Sequence, residues 1–250
     1  MKTIAFIPAR YHSTRLPAKP LALIGGLPMI QRVYQCALAC PQLDAVYVAT
    51  DDERIAKCVQ GFSGRFIMTS VDHASGTDRI AEAAAKVGCA PDDLIVNIQG
   101  DQPTFPPSVI GDMIKPLLAD PNIPMGTLKH RIADPAEVTN LNHVKVVTDK
   151  HDFALYFSRS PIPYYREKSD EYFYYKHLGM YAYRLHFLKT FTSLPVSTLE
   201  SAEKLEQLRA LENGFKIKVV ATAFDSIEVD TPGDIAKVEA WLQRSTTVPK

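Results

Sequence analysis

The sequence predicts an α/β fold, in which a mainly parallel sheet is flanked by helices and accompanied by a smaller mixed α+β subdomain. Over the first half of the chain, short apolar runs rich in β-branched residues alternate with helical stretches. That alternation is typical of βαβ units, which build parallel sheets covered on both faces. In the second half the alternation stops, and a length of 250 residues suits one large or two small domains.

The first half contains the more regular elements. Five strands are predicted there: Thr3–Ile7, Ala45–Ala49, Arg65–Met68, Leu94–Ile98 and Met125–Leu128. Four helices are predicted between them: Pro28–Cys40, Asp51–Phe62, Gly76–Val87 and Pro106–Leu118. Pro28 suits a first helical turn, and the acids that open the second helix suit the positive end of its dipole. Since ligands of such sheets collect beyond the carboxyl ends of the strands, the loops at that edge are expected to hold the site.

The second half is less regular. Its predicted elements are the strands Val144–Thr148, Phe153–Phe157 and Lys216–Ala221, a helix over Thr198–Glu212, and a last helix from Thr231-Pro232 to Gln243 with Thr231 as N-cap. Seven of the eleven tyrosines fall between Tyr164 and Tyr183, a composition that also fits a dimer interface. We therefore predict a nucleotide-type core over residues 1–124 and 215–250, with a subdomain over residues 125–214.

Charge and composition exclude several classes of function. The 28 basic and 28 acidic residues cancel, so no overall positive field favours nucleic acid or an anionic membrane. The first apolar run is too short for a signal peptide, and no stretch reaches the length of a membrane-spanning helix. The four cysteines lack metal-ligand spacing and predict reduced thiols in a cytoplasmic protein without zinc: Cys36, Cys40, Cys58 and Cys89.

A basic loop follows the first predicted strand. Arg10, Arg15 and Lys19 lie in it, and residues 1–43 contain no acid. At the carboxyl end of a first strand, such cations suit phosphate, because arginine grips its oxygens in pairs and lysine adds a compact charge. Glycine signatures of P-loops and dinucleotide sites are missing. The alternative interpretation is a solvated loop that is basic by chance.

Two aspartates follow apolar stretches and suggest a metal. Asp101 comes directly after a buried strand and Gly100, and Asp230 precedes the last helix. A carboxylate beside phosphate is repulsive unless a cation lies between them, so Mg²⁺ is the predicted ion. The alternative for Asp101 is a turn or N-cap role. For Asp230 it is capping, although Thr231 already serves that purpose.

Four polar residues and one short segment are weaker candidates. Arg159 suits a carboxylate, whereas His177, Glu206 and Gln207 suit hydroxyl groups. Taken singly, each fits a structural role equally well. The segment Ser75–Arg79 fits either a loop that contacts a base or a cap that opens a helix.

Eight segments, taken together and in order, resemble the motifs of the 3-deoxy-manno-octulosonate (Kdo) cytidylyltransferases, also called CMP-Kdo synthetases. They are residues 7–20, 49–51, 74–79, 97–101, 154–159, 176–179, 205–209 and 229–232. The resemblance implies a sugar-nucleotidyltransferase-like (Rossmann-like) fold and, for residues 125–214, sugar binding and dimerisation. It also implies CTP and an acidic eight-carbon sugar as substrates, Mg²⁺, release of pyrophosphate, a homodimer and a role in lipopolysaccharide biosynthesis.

The resemblance also implies roles for individual residues. Arg10, Arg15 and Lys19 would hold the triphosphate and act in catalysis with the two magnesium ligands, Asp101 and Asp230. The remaining nucleotide contacts would be Ala9, Ser75, Arg79 and Gln99, and the sugar contacts would be Arg159, His177, Tyr181, Glu206 and Gln207.

The chain departs from the family pattern in two places. Gln102 stands where the family usually has Glu, and the segment between Arg166 and Lys176 is short. Both lie near the expected sugar site, so the 8-amino analogue of Kdo is an alternative substrate. The sequence is also compatible with a nucleotidyltransferase for a different sugar, or with a nucleotide-binding scaffold that lacks catalysis.

Overall fold

The computed structural model of the chain describes residues 1–12, 16–167 and 173–246. Its strands are β1 (Thr3–Ala9), β2 (Leu23–Ile24), β3 (Leu27–Pro28), β4 (Ala45–Thr50), β5 (Phe66–Met68), β6 (Leu94–Asn97), β7 (Met125–Arg131), β8 (Lys145–Thr148), β9 (Ala154–Ser158), β10 (Tyr175–Arg184) and β11 (Ile217–Thr222). Its helices are α1 (Met29–Leu38), α2 (Glu53–Gly61), α3 (Gly76–Val87), α4 (Ser108–Ala119), α5 (Pro135–Val138), α6 (Leu185–Ser193), α7 (Thr198–Glu203), α8 (Leu208–Glu212) and α9 (Pro232–Thr246), and a 3₁₀ turn covers Lys19–Leu21.

The chain forms two compact units. The first contains residues 1–111 and 226–250, and the second contains residues 112–225. The division predicted from the sequence has its breaks at 124/125 and 214/215, whereas the units divide at 111/112 and 225/226. One reason for the second difference is that β11 pairs with β7, and both strands belong to the second unit.

The first unit is built on parallel strands in the order β6-β1-β4-β5. Residues 5–7 of β1 are fully buried, because apolar and β-branched side chains fill both faces of this central strand. α1 packs Ile30 and Val33 into the core, and α3 contributes Ile80. Since the strands are parallel, their carboxyl ends lie along one edge of the sheet, where the chain leaves it at residues 10, 51 and 98.

The segment before α9 also belongs to the core of the first unit. Val229 is fully buried in an apolar cluster with Ile24, Met29 and Val238. Burying a side chain of this size contributes roughly 1.5–3 kcal/mol. The cluster therefore fixes a segment from the end of the chain beside residues from its beginning.

The second unit carries a mixed sheet. β11 pairs with β7 in parallel, whereas the pairs β7–β10, β10–β8 and β8–β9 are antiparallel. The predicted α/β class with a smaller mixed portion is thus confirmed. Within the described residues, no helix is both long and apolar enough to cross a membrane.

Several features of the second unit, the short helix α5 among them, differ from the sequence-based expectation. The helix predicted over Thr198–Glu212 is two helices, α7 and α8, because Lys204 adopts a left-handed conformation with φ 54° and interrupts the helical hydrogen bonds. Neither the ten-residue strand β10 nor the helix α6 that follows it was predicted. Buried Tyr181 and Tyr183 belong to β10 and contribute to the core of this unit.

Candidate active site

Lys19 is the centre of a charged cluster in the first unit. Its Nζ donates to Asp101 Oδ2 at 2.8 Å and to Asp230 Oδ1 at 2.9 Å. The three side chains are partly buried, with exposed fractions of 15% for Lys19, 29% for Asp101 and 31% for Asp230. Residues separated by up to 211 positions along the chain therefore meet at one point.

Local backbone geometry places Asp101 and Lys19. Asp101 follows β6 through Gly100, where a Cβ atom would lie only 3.1 Å from the carbonyl oxygen of Pro8, so a larger residue would push the two strand ends apart. Lys19 follows Ala18, whose φ of 54° is left-handed and costs about 1–2 kcal/mol in a residue with a side chain. The 3₁₀ turn holds this conformation with a hydrogen bond from the N–H of Leu21 to the carbonyl of Ala18, at 2.8 Å.

Asp230 is placed by a cap on α9. The carboxylate of Asp234 accepts hydrogen bonds from the N–H and hydroxyl groups of Thr231, at 3.0 and 2.8 Å, and caps the first turn. Asp230 itself accepts a hydrogen bond from Lys19 through Oδ1, and its alternative role as a cap stays a prediction. The backbone N–H of Val229 donates to the carbonyl of Asp101 at 3.0 Å and holds the two acidic segments together.

The charges of the cluster do not balance. Burial alone would lower the pKa of Lys19, but the charges and hydrogen bonds of Asp101 and Asp230 raise it, so the ammonium stays protonated. Glu228 lies nearby, and burial of its carboxyl group together with the charges of Asp101 and Asp230 raises its pKa. Since Glu228 is exposed by surface area, the charges of Asp101 and Asp230 explain the rise in its pKa better than burial does. One lysine therefore faces three carboxyl groups.

Glu228 was not predicted as a site residue. Its only signal in the sequence is its position two residues before Asp230. Its partner Gln102, whose Nε2 donates to Glu228 Oε1 at 3.3 Å, lies 126 positions away.

A cavity of about 190 Å³ lies beside the cluster. Its lining includes four of the predicted nucleotide contacts and one predicted magnesium ligand: Ala9, Arg10, Lys19, Gln99 and Asp101. The guanidinium of Arg10 is oriented by a hydrogen bond from Nη2 to the carbonyl of His73 at 2.5 Å. Ligand pockets usually enclose about 300 Å³ or more, so this cavity suits part of a nucleotide, such as its phosphates. Arg15, the remaining predicted phosphate contact, lies outside the described residues.

The two residues predicted near the base make contacts within the protein. Ser75 is the N-cap of α3 and forms a capping box with Asp78. Arg79 is fully buried, pairs with Asp51 at 2.8 Å and donates to Thr69 Oγ1 at 2.6 Å. Both side chains therefore stabilise the loop that opens α3, and their roles toward cytosine stay predictions.

Arg159 anchors a loop of the second unit. Its guanidinium donates to the carbonyl oxygens of Glu203 and Leu141, at 2.7 and 2.8 Å, and its backbone N–H donates to the carboxylate of Glu203 at 2.9 Å. Ser158 Oγ donates to the same carboxylate at 2.6 Å. The predicted contact of Arg159 with a substrate carboxylate stays a prediction, and the observed contacts hold β9 against the end of α7.

His177 and Tyr181 lie together on β10, with ring centroids 5.3 Å apart. Burial lowers the pKa of His177 to about 3, so the imidazole is neutral near pH 7. His177 Nε2 lies 2.9 Å from Thr127 Oγ1, and that hydroxyl donates to the carbonyl of Met180 at 2.7 Å. The hydroxyl hydrogen is thereby used, which makes Nε2 the donor and leaves Nδ1 as the acceptor side of the ring.

A series of ring contacts continues from Tyr181 through Tyr183 to Phe191, over which the guanidinium of Arg209 lies at 5.0 Å. Arg209 forms a two-point ion pair with Glu200, at 2.6 and 2.8 Å. The structure therefore connects the His177 side of β10 with the start of α8.

Glu206 and Gln207 precede α8. The Glu206 carboxylate lies 3.8 Å from Arg209 Nη2. Gln207 is only 4% exposed, and its Nε2 has no hydrogen-bond partner among the described residues. A buried amide group without a hydrogen-bond partner lowers stability by roughly 1–3 kcal/mol, so a ligand that accepts a hydrogen bond from Gln207 would recover this energy.

Asp101 and Asp230 are the residues that fit a magnesium ion. Among residues 1–12, 16–167 and 173–246, no group of three or more His, Cys, Asp or Glu side chains is arranged to hold a metal by itself. Two aspartates suit Mg²⁺ nevertheless, because this ion keeps several waters and takes phosphate oxygens as further ligands. The excess of carboxyl groups over Lys19 leaves negative charge for a cation.

Known proteins resemble the chain over nearly its whole length. A family model described as cytidylyltransferase matches residues 4–217. The 3-deoxy-manno-octulosonate cytidylyltransferase of Desulfatibacillum aliphaticivorans is 53% identical over 97% of this chain and 99% of that protein. The 8-amino-3,8-dideoxy-manno-octulosonate cytidylyltransferase of Shewanella halifaxensis (strain HAW-EB4) is 54% identical over 97% of this chain and 99% of that protein.

A solved structure extends the comparison to three dimensions. It is a CMP:2-keto-3-deoxy-manno-octonic acid synthetase complexed with CTP, and it matches with a TM-score of 0.92 and 44% identity over 98% of this chain and 100% of that one. Sequence and structure therefore agree with the resemblance found in the motifs. The chain belongs to the cytidylyltransferase family, in the branch that contains the 3-deoxy-manno-octulosonate cytidylyltransferases, and is a nucleotidyltransferase enzyme.

Proposed function

We propose that the chain transfers the cytidylyl group of CTP to Kdo and releases pyrophosphate. The observation that carries this proposal is the ion-paired cluster of Lys19, Asp101 and Asp230 beside a cavity that Arg10 also lines. Cations for phosphate and carboxylates for a metal meet there, as a triphosphate substrate requires. The names of the relatives at 53% and 54% identity supply the class of sugar.

The proposed reaction is an in-line displacement at the α-phosphorus. The anomeric hydroxyl oxygen of the sugar forms a bond to phosphorus, the bond from phosphorus to the β-phosphate oxygen breaks, and the hydroxyl proton is lost to solvent. Arg10 and Lys19, with Arg15 as a predicted third cation, offset the negative charge of the departing pyrophosphate. Catalysis then consists mainly of positioning and charge compensation.

Mg²⁺ is the proposed cofactor, and Asp101 and Asp230 would hold it. When bound, the ion would neutralise charge on the α-phosphate and make the attacking hydroxyl more acidic. The two carboxylates share Lys19, so their geometry is set before substrate arrives.

Residues of the second unit are proposed to bind the sugar acid. Arg159 supplies a positive charge for the sugar carboxylate, and the neutral ring of His177 offers an acceptor nitrogen to a hydroxyl. Tyr181 packs against that ring, while Gln207 and Glu206 add a donor and an acceptor. Hydrogen bonds that a buried polar group can make only to the correct sugar give strong discrimination.

The 8-amino analogue of Kdo is the second candidate substrate. It is favoured by the Shewanella halifaxensis relative, whose 54% identity is no lower than that of the Kdo relative. The decisive experiment crosses CTP and UTP with Kdo, the 8-amino analogue and sialic acid, and measures pyrophosphate. Release from CTP with Kdo supports the proposal, release with only the 8-amino sugar supports the second candidate, and a signal that needs UTP contradicts both.

Substitution of Asp101 tests the metal-binding role. In Asp101→Asn, we expect turnover to fall by roughly two or more orders of magnitude, because a charged group at the reacting phosphate is lost. Asp112→Asn, on the exposed face of α4, is the matched control and should behave as wild type. Circular dichroism checks that both variants fold. Turnover of Asp101→Asn at the wild-type level would contradict the role.

A homodimer and a cytoplasmic location complete the proposal. Large apolar side chains of the second unit are exposed, among them Leu141 (61%), Leu155 (63%) and Tyr164 (87%), and we propose that they contribute to the dimer interface. All four cysteines are free, as expected for a reducing compartment. Light scattering coupled to size exclusion tests the dimer, and a purely monomeric mass would contradict it.

A further inference from the structure

Gln102 is a deeply buried polar residue next to the charged cluster. It is 1% exposed and follows Asp101 directly. Its Nε2 donates to Glu228 Oε1 at 3.3 Å, and its Oε1 is buried without a hydrogen-bond partner among the described residues. The contact with Glu228 is therefore the one side-chain hydrogen bond that the described structure gives this amide.

Three links join the loop after β6 to the segment before α9. Besides the Gln102–Glu228 hydrogen bond, the N–H of Val229 donates to the carbonyl of Asp101 at 3.0 Å. The ammonium of Lys19 bridges Asp101 and Asp230. Successive residues 101 and 102 thus contact 229 and 228, and the two strips of chain lie side by side. The distance between the two aspartates depends on this alignment.

The amide at position 102 is chemically matched to this place. A carboxylate there would face Glu228 beside Asp101 and Asp230, and four acidic groups would surround one lysine. An amide donates a hydrogen bond to Glu228 and adds no charge.

From this geometry we infer that Gln102 and Glu228 are positioning residues, whose hydrogen bond sets Asp230 against Asp101 for cytidylyl transfer. The inference rests on the proposed function. The pair acts through the aspartates and touches no substrate in the proposed reaction. The pair requires one amide and one carboxylate. Either group can stand at position 102 if the other stands at position 228.

A swap of the two side chains tests the inference. Gln102→Glu opposes two carboxylates, and we expect kcat to fall by roughly 10–100-fold, whereas Glu228→Gln keeps an amide pair and should lose less. The double variant Gln102→Glu/Glu228→Gln restores amide to carboxylate in reverse order. We expect it to recover at least about ten-fold in kcat over the Gln102→Glu variant.

Two readouts separate positioning from mere support of the fold. Urea midpoints of the ligand-free variants report stability, and isothermal titration of CTP with and without Mg²⁺, in the absence of sugar, reports how the aspartates are arranged. We expect the Mg²⁺-dependent gain in CTP affinity to fall in Gln102→Glu and to return in the double variant.

Two results would overturn the inference. One is a double variant whose losses in kcat and in Mg²⁺-dependent affinity equal the product of the single losses. The second is a kcat loss that disappears once the fraction of unfolded protein is taken into account. If wild type releases no pyrophosphate with any sugar, the proposed function fails, but the titration of CTP and Mg²⁺ still measures the pair.

Discussion

The two units prepare their polar residues for ligands in opposite ways. In the first unit, two aspartates contact the single cation Lys19, so the cluster keeps a net negative charge that a bound cation can neutralise. In the second unit, the charged Arg159 and Arg209 are occupied by backbone carbonyls and by Glu200, and His177 is neutral. We therefore expect recognition to depend mainly on charge in the first unit, and in the second on hydrogen bonds together with the positive charge of Arg159.

Removing the central cation should give the largest effect. In Lys19→Met, two aspartates lose their shared partner and the triphosphate loses a positive charge, so kcat/KM for CTP should fall by about 10²–10³-fold. Lys237→Met is the matched control, because Lys237 also pairs with an aspartate, Asp234 at 2.8 Å, but is exposed. Steady-state assays of pyrophosphate release measure both. Similar losses in the two variants would remove the distinction between the cluster and an ordinary surface ion pair.

Arg79 tests whether a buried charge in the first unit serves stability or recognition. Arg79→Met leaves Asp51 without its partner, and we expect the free energy of unfolding to fall by about 3 kcal/mol. Arg54→Met breaks an exposed Arg–Asp pair, with Asp52, and should change it little. Urea denaturation measures both. If Arg79→Met instead keeps its stability and raises KM for CTP, the predicted contact with cytosine is supported.

Gln207 tests recognition in the second unit. Gln207→Leu removes a buried hydrogen-bond donor but keeps a side chain of similar volume. KM for the sugar should therefore rise about 10-fold while KM for CTP stays constant. Gln60→Leu in α2 of the first unit provides an exposed control of the same chemistry. An equal rise in both KM values would argue for a general structural defect.

His177 should produce the smallest effect, seen as a pH dependence of stability. The pKa of the imidazole is about 6.5 in the unfolded state and about 3 in the folded state. Below pH 6.5 the unfolded state therefore binds a proton and the folded state does not. Stability is thus lost as the pH falls through this window.

His177→Gln should abolish that component. We expect His177 to change the free energy of unfolding by about 1 kcal/mol between about pH 7.5 and pH 5. This is half of what the full shift in its pKa would give, because the residue is partly exposed. Urea denaturation of wild type and His177→Gln at both pH values isolates the contribution. Identical pH dependences in the two proteins would show that the imidazole is accessible to protons.

Much of the first unit could be predicted from local pattern. The alternation of strands and helices is a short-range signal, and Asp101 was found because it follows an apolar strand and Gly100. The role of Arg79 in pairing with Asp51 was missed, because a sequence does not tell which cation will be buried. Gln102 was noticed as unusual, but its partner Glu228 was not, since 126 positions separate them.

The second unit was harder to predict because most of its strand pairs are antiparallel and β10 lies within a tyrosine-rich stretch. β10 begins with Tyr, Lys and His and ends with Arg, so polar residues flank its apolar middle and obscure the bounds of the ten-residue strand. The break between α7 and α8 depends on the left-handed conformation of Lys204, a residue that is otherwise a good helix former. In both cases tertiary packing outweighs local preference.

The bridge from Lys19 to Asp230 has a consequence for biosynthesis. During synthesis, Lys19 and Asp101 are made early. Asp230 follows Asp101 only after a further 129 residues, since the two aspartates lie 82 and 211 positions after Lys19. Until then a nascent chain carries a cation without its full counter-charge. In the proposed mechanism, the second magnesium ligand is therefore in place only when the last segment to be synthesised folds back onto the first.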